Sequence, residues 1–281
     1  MSPKLRPLWR SMLYVPANVP RFVEKSASAG ADAVLLDLED SVPAERKAEA
    51  RAALATAVPI ARSGGADVLV RVNRPLSLAI GDIEAAIAAG ANGILLTKVL
   101  GPDHVQLVAE MLPPGMRIIP MVETAAAMQR INEIARAAPA IAGLLVGAED
   151  LAAECGAAAD DEIIMMAKRQ MVLAAVAAGV APLGTLGTVA DYRDPEKIRA
   201  LIARSRRAGF VGASCIHPSL VAILNEGFSP SAAEIDLARR QLAAGEDAAR
   251  EGRGSFVVDG LMVDEPILIR ARRTLALAGG A

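Results

Sequence analysis

The chain is short of aromatic residues, has two cysteines and two histidines, and carries no large excess of either charge. Each scarcity removes a class of protein. With aromatics at 2% and hydrophobic residues at 53%, the core must be built from Ala, Val, Leu, Ile and Met, which suits helices packed closely on a sheet. A formal net charge of −2 argues against a nucleic-acid partner, because phosphate binding needs clustered Lys and Arg. Cys155 and Cys215 match neither a metal-ligand spacing nor a small disulfide framework. His104 and His217 are too few for a histidine-rich zinc site, and nothing around them supports a Ser-His-Asp triad. There is no GxGxxG fingerprint and no GxxxxGK(S/T) loop, which excludes the usual dinucleotide and P-loop enzymes. No apolar run is long enough to span a bilayer, and Met1 to Arg10 holds no apolar secretory core. The sequence therefore predicts a cytoplasmic protein with no membrane partner.

What the sequence has is alternation. Short runs rich in Val, Ile and Leu are predicted as strands at Ser11 to Val15, Ala33 to Asp37, Val68 to Arg71, Gly93 to Thr97, Arg117 to Val122, Gly143 to Val146, Ala181 to Leu186 and Val211 to Ile216. Ala-rich helical patterns lie between them at Arg21 to Ala29, Ala44 to Val58, Ile83 to Ala89, Ala125 to Ala137, Glu162 to Ala178 and Pro195 to Ala208. Gly30, Gly90, Gly179 and Gly209 each follow such a run, as helix stops do. Eight units of this kind predict an α/β protein with a (β/α)8 TIM barrel, a fold of about 250 residues. A doubly wound open sheet is the alternative. After Phe228 the pattern changes, so residues 1–228 are predicted as the barrel catalytic domain and 229–281 as a C-terminal helical extension or lid.

In a parallel barrel the C-terminal ends of the strands share one face, so the residues that close successive strands converge. Those ends hold Asp37, Glu39 and Asp40, then Arg71 and Asn73, Lys98, Glu123, Asp150 and finally Cys215 and His217. Acidic oxygens with little His or Cys nearby favour a hard divalent cation such as Mg2+, with Glu123 and Asp150 the best pair. The same two positions also suit helix N-caps or first-turn acids. The acids of Asp37 to Asp40 suit either a compensated site or a solvated turn. Arg71 can bind a carboxylate or a developing oxyanion, or form a structural salt bridge. Lys98 fits a supporting ion-pair role at most.

Six segments in order, "RSMLYVP", "DLEDSV", "RVN", "VET", "GAEDL" and "CIHPS", resemble the citrate lyase beta-subunit-like (aldolase/citrate lyase) family, and the likeness runs from Arg10 to about Ala271. The resemblance implies a (β/α)8 barrel, a homotrimer or hexamer, Mg2+, and a substrate carrying coenzyme A. It implies a carbon-carbon lyase that cleaves a hydroxyacyl-CoA of the citramalyl-CoA or malyl-CoA type to acetyl-CoA and a 2-keto acid. A hydroxyacyl-CoA thioesterase, a citrate lyase beta subunit acting on a carrier-protein thioester, and a metal-free pyruvate aldolase are the other readings. By the same resemblance Glu123 and Asp150 look like metal ligands, Glu39 lies near the metal's water shell, and Arg71 binds a substrate oxygen or carboxylate; Asp37, which continues its strand's alternation, is expected to face the site and, with Glu39, Arg71 and Asp264, to be catalytic. Arg10, Arg21 and Lys25 look placed for CoA phosphates, and Ile216, His217 and Pro218 for the thioester arm. Asp264, in "VDGLMVDEP", matches an aspartate that reaches a neighbouring subunit's site, although it also suits the start of the last helix. One departure stands out: relatives carry an aspartate near the end of strand seven where this chain reads "PLGTLGT".

Overall fold

The computed structural model describes residues 9–188 and 192–279; residues 1–8 of the expected barrel unit and 280–281 of the expected extension lie outside the described residues. Two compact units divide the chain, one ending at Phe228 and the other beginning at Ser229. In the first, eight strands run β1 Ser11–Pro16, β2 Ala33–Asp37, β3 Asp67–Val72, β4 Gly93–Leu96, β5 Arg117–Val122, β6 Gly143–Val146, β7 Ala181–Pro182 and β8 Ala213–Cys215. The helices between and after them are α1 Pro20–Ser26, α2 Lys47–Arg62, α3 Leu76–Ala88, α4 Pro102–Met111, α5 Ala125–Gln129, α6 Ile131–Ile134, α7 Ala148–Cys155, α8 Glu162–Ala178, α9 Pro195–Arg207 and α10 Ser219–Phe228.

The strands form one sheet in the order β7-β6-β5-β4-β3-β2-β1-β8, every pair parallel. Its edges meet through a parallel bridge between Leu183 and Gly212, with Gly184 N donating to Gly212 O at 2.8 Å. This is an α/β fold consistent with a TIM-like barrel. The seventh strand is shorter than the sequence predicts. Pro182 has no N–H to donate, and Gly184, at φ +120°, leaves the β region, so the ladder ends there. The helix predicted from Ala125 to Ala137 is likewise broken at Arg130, where φ is −110° and ψ is 13°.

Two-residue periodicity sorts the strands into an inner and an outer face. Met12, Ala33, Leu35, Leu69, Leu95, Ile119, Met121 and Leu145 pack inside the sheet with Trp9, while Val34, Leu36, Val68, Val70, Ile94 and Ile118 pack outward against the helices. Continuing the inner phase to the strand ends places Tyr14, Asp37, Arg71 and Glu123 over the interior. Two of the chain's few aromatics lie here: Trp9 Nε1 donates to Asp67 Oδ2 at 2.8 Å at the N-terminal end of β3, and Tyr14 sits near the other end.

One buried acid outside the sheet holds two of these loops. Asp82 of α3 is fully buried; it accepts from Arg51 Nε at 2.7 Å, Asn73 N at 3.0 Å and Asn73 Nδ2 at 2.7 Å, and Nδ2 also donates to Leu38 O at 3.0 Å. The loops after β2 and β3 are thereby tied together. Asp82→Ala leaves Arg51 and Asn73 without their acceptor and is expected to cost about 3 kcal/mol, the low end for breaking a buried pair because Arg51 keeps some solvent contact. A urea midpoint at neutral pH measures it.

The second unit is α11 Ala232–Arg250, an antiparallel hairpin of β9 Phe256–Val258 and β10 Leu261–Val263, and α12 Glu265–Ala278. Ser231 and Glu234 make a reciprocal capping box at the start of α11. Ala248, Phe256 and Val263 form its small core, joined by Leu268. Among the described residues no helix is long and apolar enough to cross a membrane.

Candidate active site

The ends of β2 and β3 supply a fixed cation. Arg71 Nε and Nη2 each bond an oxygen of Asp37 at 2.6 Å, a bidentate pair in which Asp37 is buried. Its guanidinium also lies 5.0 Å from the centre of the Tyr14 ring. Burial works to raise the Asp37 carboxyl, but the Arg71 bonds and charge outweigh it and hold the group below the usual carboxylate range. The same pairing, against the cost of burial, pushes Arg71 upward. Arg71 Nη1 is 3.0 Å from Glu39 Oε2 and 3.1 Å from Asp40 Oδ2, whose side chain is mostly exposed.

The end of β5 and the start of α7 supply the acids, and the end of β4 a lysine. Glu123 is buried, and burial first, then the charges of Asp150 and Glu39, push its carboxyl up to about 8 despite a hydrogen bond from Lys98 N. Asp150 lies within hydrogen-bonding reach of it and is partly exposed. Lys98 joins the two halves: Nζ is 2.6 Å from Glu39 Oε1 and 3.6 Å from Asp150 Oδ2. Its backbone has φ +48°, a left-handed conformation that costs a non-glycine residue roughly 1 kcal/mol and that turns the amide toward Glu123. Among the described residues there is no cluster of three or more His, Cys, Asp or Glu able to hold a metal. The neighbouring carboxylates of Glu123 and Asp150 would suit magnesium, an ion that takes one or two carboxylates and completes its shell with water and substrate. A divalent cation would also offset the cost of ionising two neighbouring acids.

Gly147 makes room for this arrangement. A Cβ at that position would sit 2.5 Å from Glu123 Cγ and 2.5 Å from Oε1, closer than atoms can approach. Gly147→Ala is expected to displace Glu123 and weaken magnesium binding about 10- to 100-fold, the usual effect of disturbing a ligand's support, with far-UV circular dichroism unchanged. Calorimetric titration with magnesium reads it.

Beside Arg71 opens a cavity of about 670 Å3 whose lining includes Lys25, Asp37, Arg71, Ile216, His217 and Pro218. His217 stacks on Tyr192 with ring centres 4.3 Å apart, and its Nδ1 is 2.7 Å from Ser219 Oγ. Thus most of the residues singled out in the sequence come together at one set of strand ends. Three do not. Arg10 precedes β1 and is locked to Asp32 by two bonds of 2.8 Å, which puts it at the N-terminal end of the strand, roughly 20 Å of chain from the site. Its expected contact with CoA phosphates does not fit that position. Arg21 is exposed on α1 with its guanidinium over the Phe22 ring at 4.7 Å, outside the cavity lining. Asp264 belongs to the second unit, where it precedes α12 and its carbonyl accepts from Ile267 N at 3.0 Å.

A parallel eight-stranded sheet with acids and a pinned arginine gathered at one set of strand ends defines an α/β protein of the barrel-enzyme class. The chain belongs to the HpcH/HpaI aldolase/citrate lyase family, whose model it matches over residues 10–218. It is 40% identical over 273 residues to the (3S)-malyl-CoA thioesterase of Cereibacter sphaeroides, covering 96% of this chain and 94% of that protein. It is 31% identical over 291 residues to the mitochondrial citramalyl-CoA lyase of Homo sapiens, covering 96% of this chain and 85% of that one. Among solved structures it resembles CitE from Mycobacterium tuberculosis in complex with magnesium, acetoacetate and coenzyme A, with TM-score 0.81, 31% identity and coverage of 98% and 99%.

Proposed function

We propose that the protein is a magnesium-dependent lyase that cleaves the carbon-carbon bond of a hydroxyacyl-CoA of the malyl-CoA or citramalyl-CoA type to acetyl-CoA and a 2-keto acid. The observation that carries this reading is the placing of a carboxylate pair, the buried Glu123 and the half-exposed Asp150, and a pinned Arg71 on one strand-end face, linked by Lys98 and Glu39. Glu123 and Asp150 would hold the ion, which when bound polarises the hydroxyl oxygen that becomes the keto group. Glu39, buried and tied to both cations, is assigned the proton leaving that hydroxyl. Arg71 is assigned the thioester oxygen, which gains charge as the bond breaks. Asp37 keeps the guanidinium fixed, and the bond of Arg71 to the exposed Asp40 is the one a substrate oxygen would replace at little cost. Lys25 and the segment Ile216 to Pro218 would receive the CoA arm in the cavity beside Arg71. Asp264, on the C-terminal unit acting as a lid from a neighbouring subunit of a homotrimer or hexamer, would return a proton to the enolate.

Hydrolysis of the thioester is the second reading, favoured by the 40% identity to a malyl-CoA thioesterase. The same site could serve it with water as nucleophile. Mass spectrometry of products from malyl-, citramalyl- and methylmalyl-CoA with magnesium separates the two. Acetyl- or propionyl-CoA with a keto acid supports the lyase; free CoA with an intact hydroxy acid supports the hydrolase. Turnover only of a carrier-protein thioester would make the chain a citrate lyase beta subunit, and turnover of none would overturn the proposal.

A further inference from the structure

Helix α8 has two unlike sides. Ile164, Met165, Met171 and Val172 are buried, as the inward stripe of an amphipathic helix requires. The outward side should then be polar. Instead it carries Ile163, Met166, Leu173 and Val176, all exposed, with Met166 at 60% and Leu173 at 72%. One exposed apolar side chain is ordinary, but four on one helix face make a patch, and such patches mark contact surfaces.

The order of the patch indicates what covers it. Its spacings are three, seven and three residues, so the stripe reads the same in both directions about a point between Arg169 and Gln170. Laid antiparallel on a second copy across a two-fold axis at that point, Met166 meets the partner's Leu173 and Ile163 meets the partner's Val176. Each pairing occurs twice, as in any isologous contact. The charges agree. Glu162 opens the helix with a mostly exposed side chain, and its ion pair with Arg169 is 3.6 Å long. At the other end Arg136 Nη2 donates to Ala177 O at 3.3 Å, and among the described residues no carboxylate pairs with that guanidinium. Glu162 and Ala177 are equally far from the midpoint, so the same axis brings Glu162 toward the partner's Arg136. Antiparallel helices also set their dipoles in the favourable sense.

We propose that α8 is a self-association surface, on which two copies of the chain pack their α8 helices antiparallel across a two-fold axis between Arg169 and Gln170. The contact uses neither the carboxylate site nor the C-terminal unit, so it goes beyond the activity reading and is independent of the lid assigned to Asp264. The assembly then contains an even number of copies.

Light scattering on the size-fractionated full chain tests the copy number. The wild type is expected at an even multiple of the chain mass. A Met166→Glu/Leu173→Glu variant, which sets like charges against one another across the axis, is expected at half the wild-type mass. Both positions are more than half exposed, so far-UV circular dichroism and the urea midpoint stay unchanged. Arg136→Glu alone is expected to weaken association about 10-fold, and adding Glu162→Arg to restore it. Disulfide trapping reads the register, in a Cys155→Ala background because Cys155 is exposed while Cys215 is buried. Met166→Cys and Leu173→Cys chains, co-expressed with tags of different length, should cross-link to each other and not to themselves. A residue and its own copy are offset by roughly 10 Å along the helices, beyond the reach of a disulfide. An odd copy number in the wild type, an unchanged mass in the double glutamate variant, or self-cross-linking in place of the mixed product overturns the proposal. So does the absence of any cross-link.

Discussion

Glu123→Gln is expected to lower magnesium-dependent turnover about 1000-fold, which corresponds to several kcal/mol of transition-state stabilisation. The substitution keeps volume and the capacity to accept from Lys98 N, so the fold is retained. What it removes is the charge. Because burial and the neighbouring acids hold the Glu123 carboxyl near 8, the neutral amide resembles the form this residue takes at neutral pH in the absence of a cation. Stability without magnesium is therefore expected to be unchanged. With magnesium the two proteins diverge: a ligand at 100 times its Kd stabilises the folded state by about 2.7 kcal/mol, and the variant should gain almost none of that. Thermal melts with and without the ion give a readout that does not depend on knowing the substrate. Asp150→Asn is expected to behave in the same way. Full magnesium stabilisation in both variants would remove the pair from the metal assignment.

How much of this is legible in the sequence depends on which physical signal each residue leaves. Asp37, Arg71 and Glu123 continue the inner phase of apolar strands, so a period of two together with a strand end places them correctly without any contact being known. The helix of Glu162 to Ala178 is fully readable because its ends are marked by an acceptor at Asp161 and a left-handed glycine at Gly179. Other features leave no such mark. The helices α4, α7 and α10 are short: the sequence marks a start for α4 at the Pro102 segment and first-turn acids for α7, but periodicity over so few residues sets no range for any of the three. Arg10 stands in a motif beside site residues, yet it lies before its strand and they lie after theirs. Its place before the strand assigns it to the opposite end of the barrel, a positional signal that the motif match does not carry. Lys98 is visible as a charge, but its left-handed backbone, which brings its amide to Glu123 while Nζ reaches Glu39, is a property of the turn and not of the residue type. Gly147 matters only through the Glu123 side chain from the neighbouring strand, and a single sequence contains no trace of that contact.

Arg71 carries the other large effect. Arg71→Lys keeps the charge but cannot make two parallel bonds to Asp37, so the cation is no longer held in one position. A loss of about 100- to 1000-fold in kcat is expected, as for removal of a single preorganised oxyanion donor, with a smaller change in KM. Arg71→Ala adds a stability effect because it strands Asp37, which is almost fully buried, and about 3 to 5 kcal/mol is expected to be lost at neutral pH. The two proteins should then respond to acid with opposite sign. In the wild-type chain the folded Asp37 is held below its unfolded value of about 3.9, so the pair's contribution is complete above that value and is lost as pH falls through the lower folded value. In Arg71→Ala the restraining cation is gone, burial, the largest influence on Asp37, is opposed only by its bonds with Glu39 and Ser41, and its folded value is expected to move above the unfolded one. Protonation then favours the folded state, and the variant recovers stability relative to wild type as pH drops from 7 toward 5. Urea midpoints at those two pH values measure the difference. An Arg71→Ala protein whose deficit is the same at both would mean that Asp37 does not depend on Arg71 for its charge, and that the guanidinium is not pinned as the 2.6 Å bonds imply.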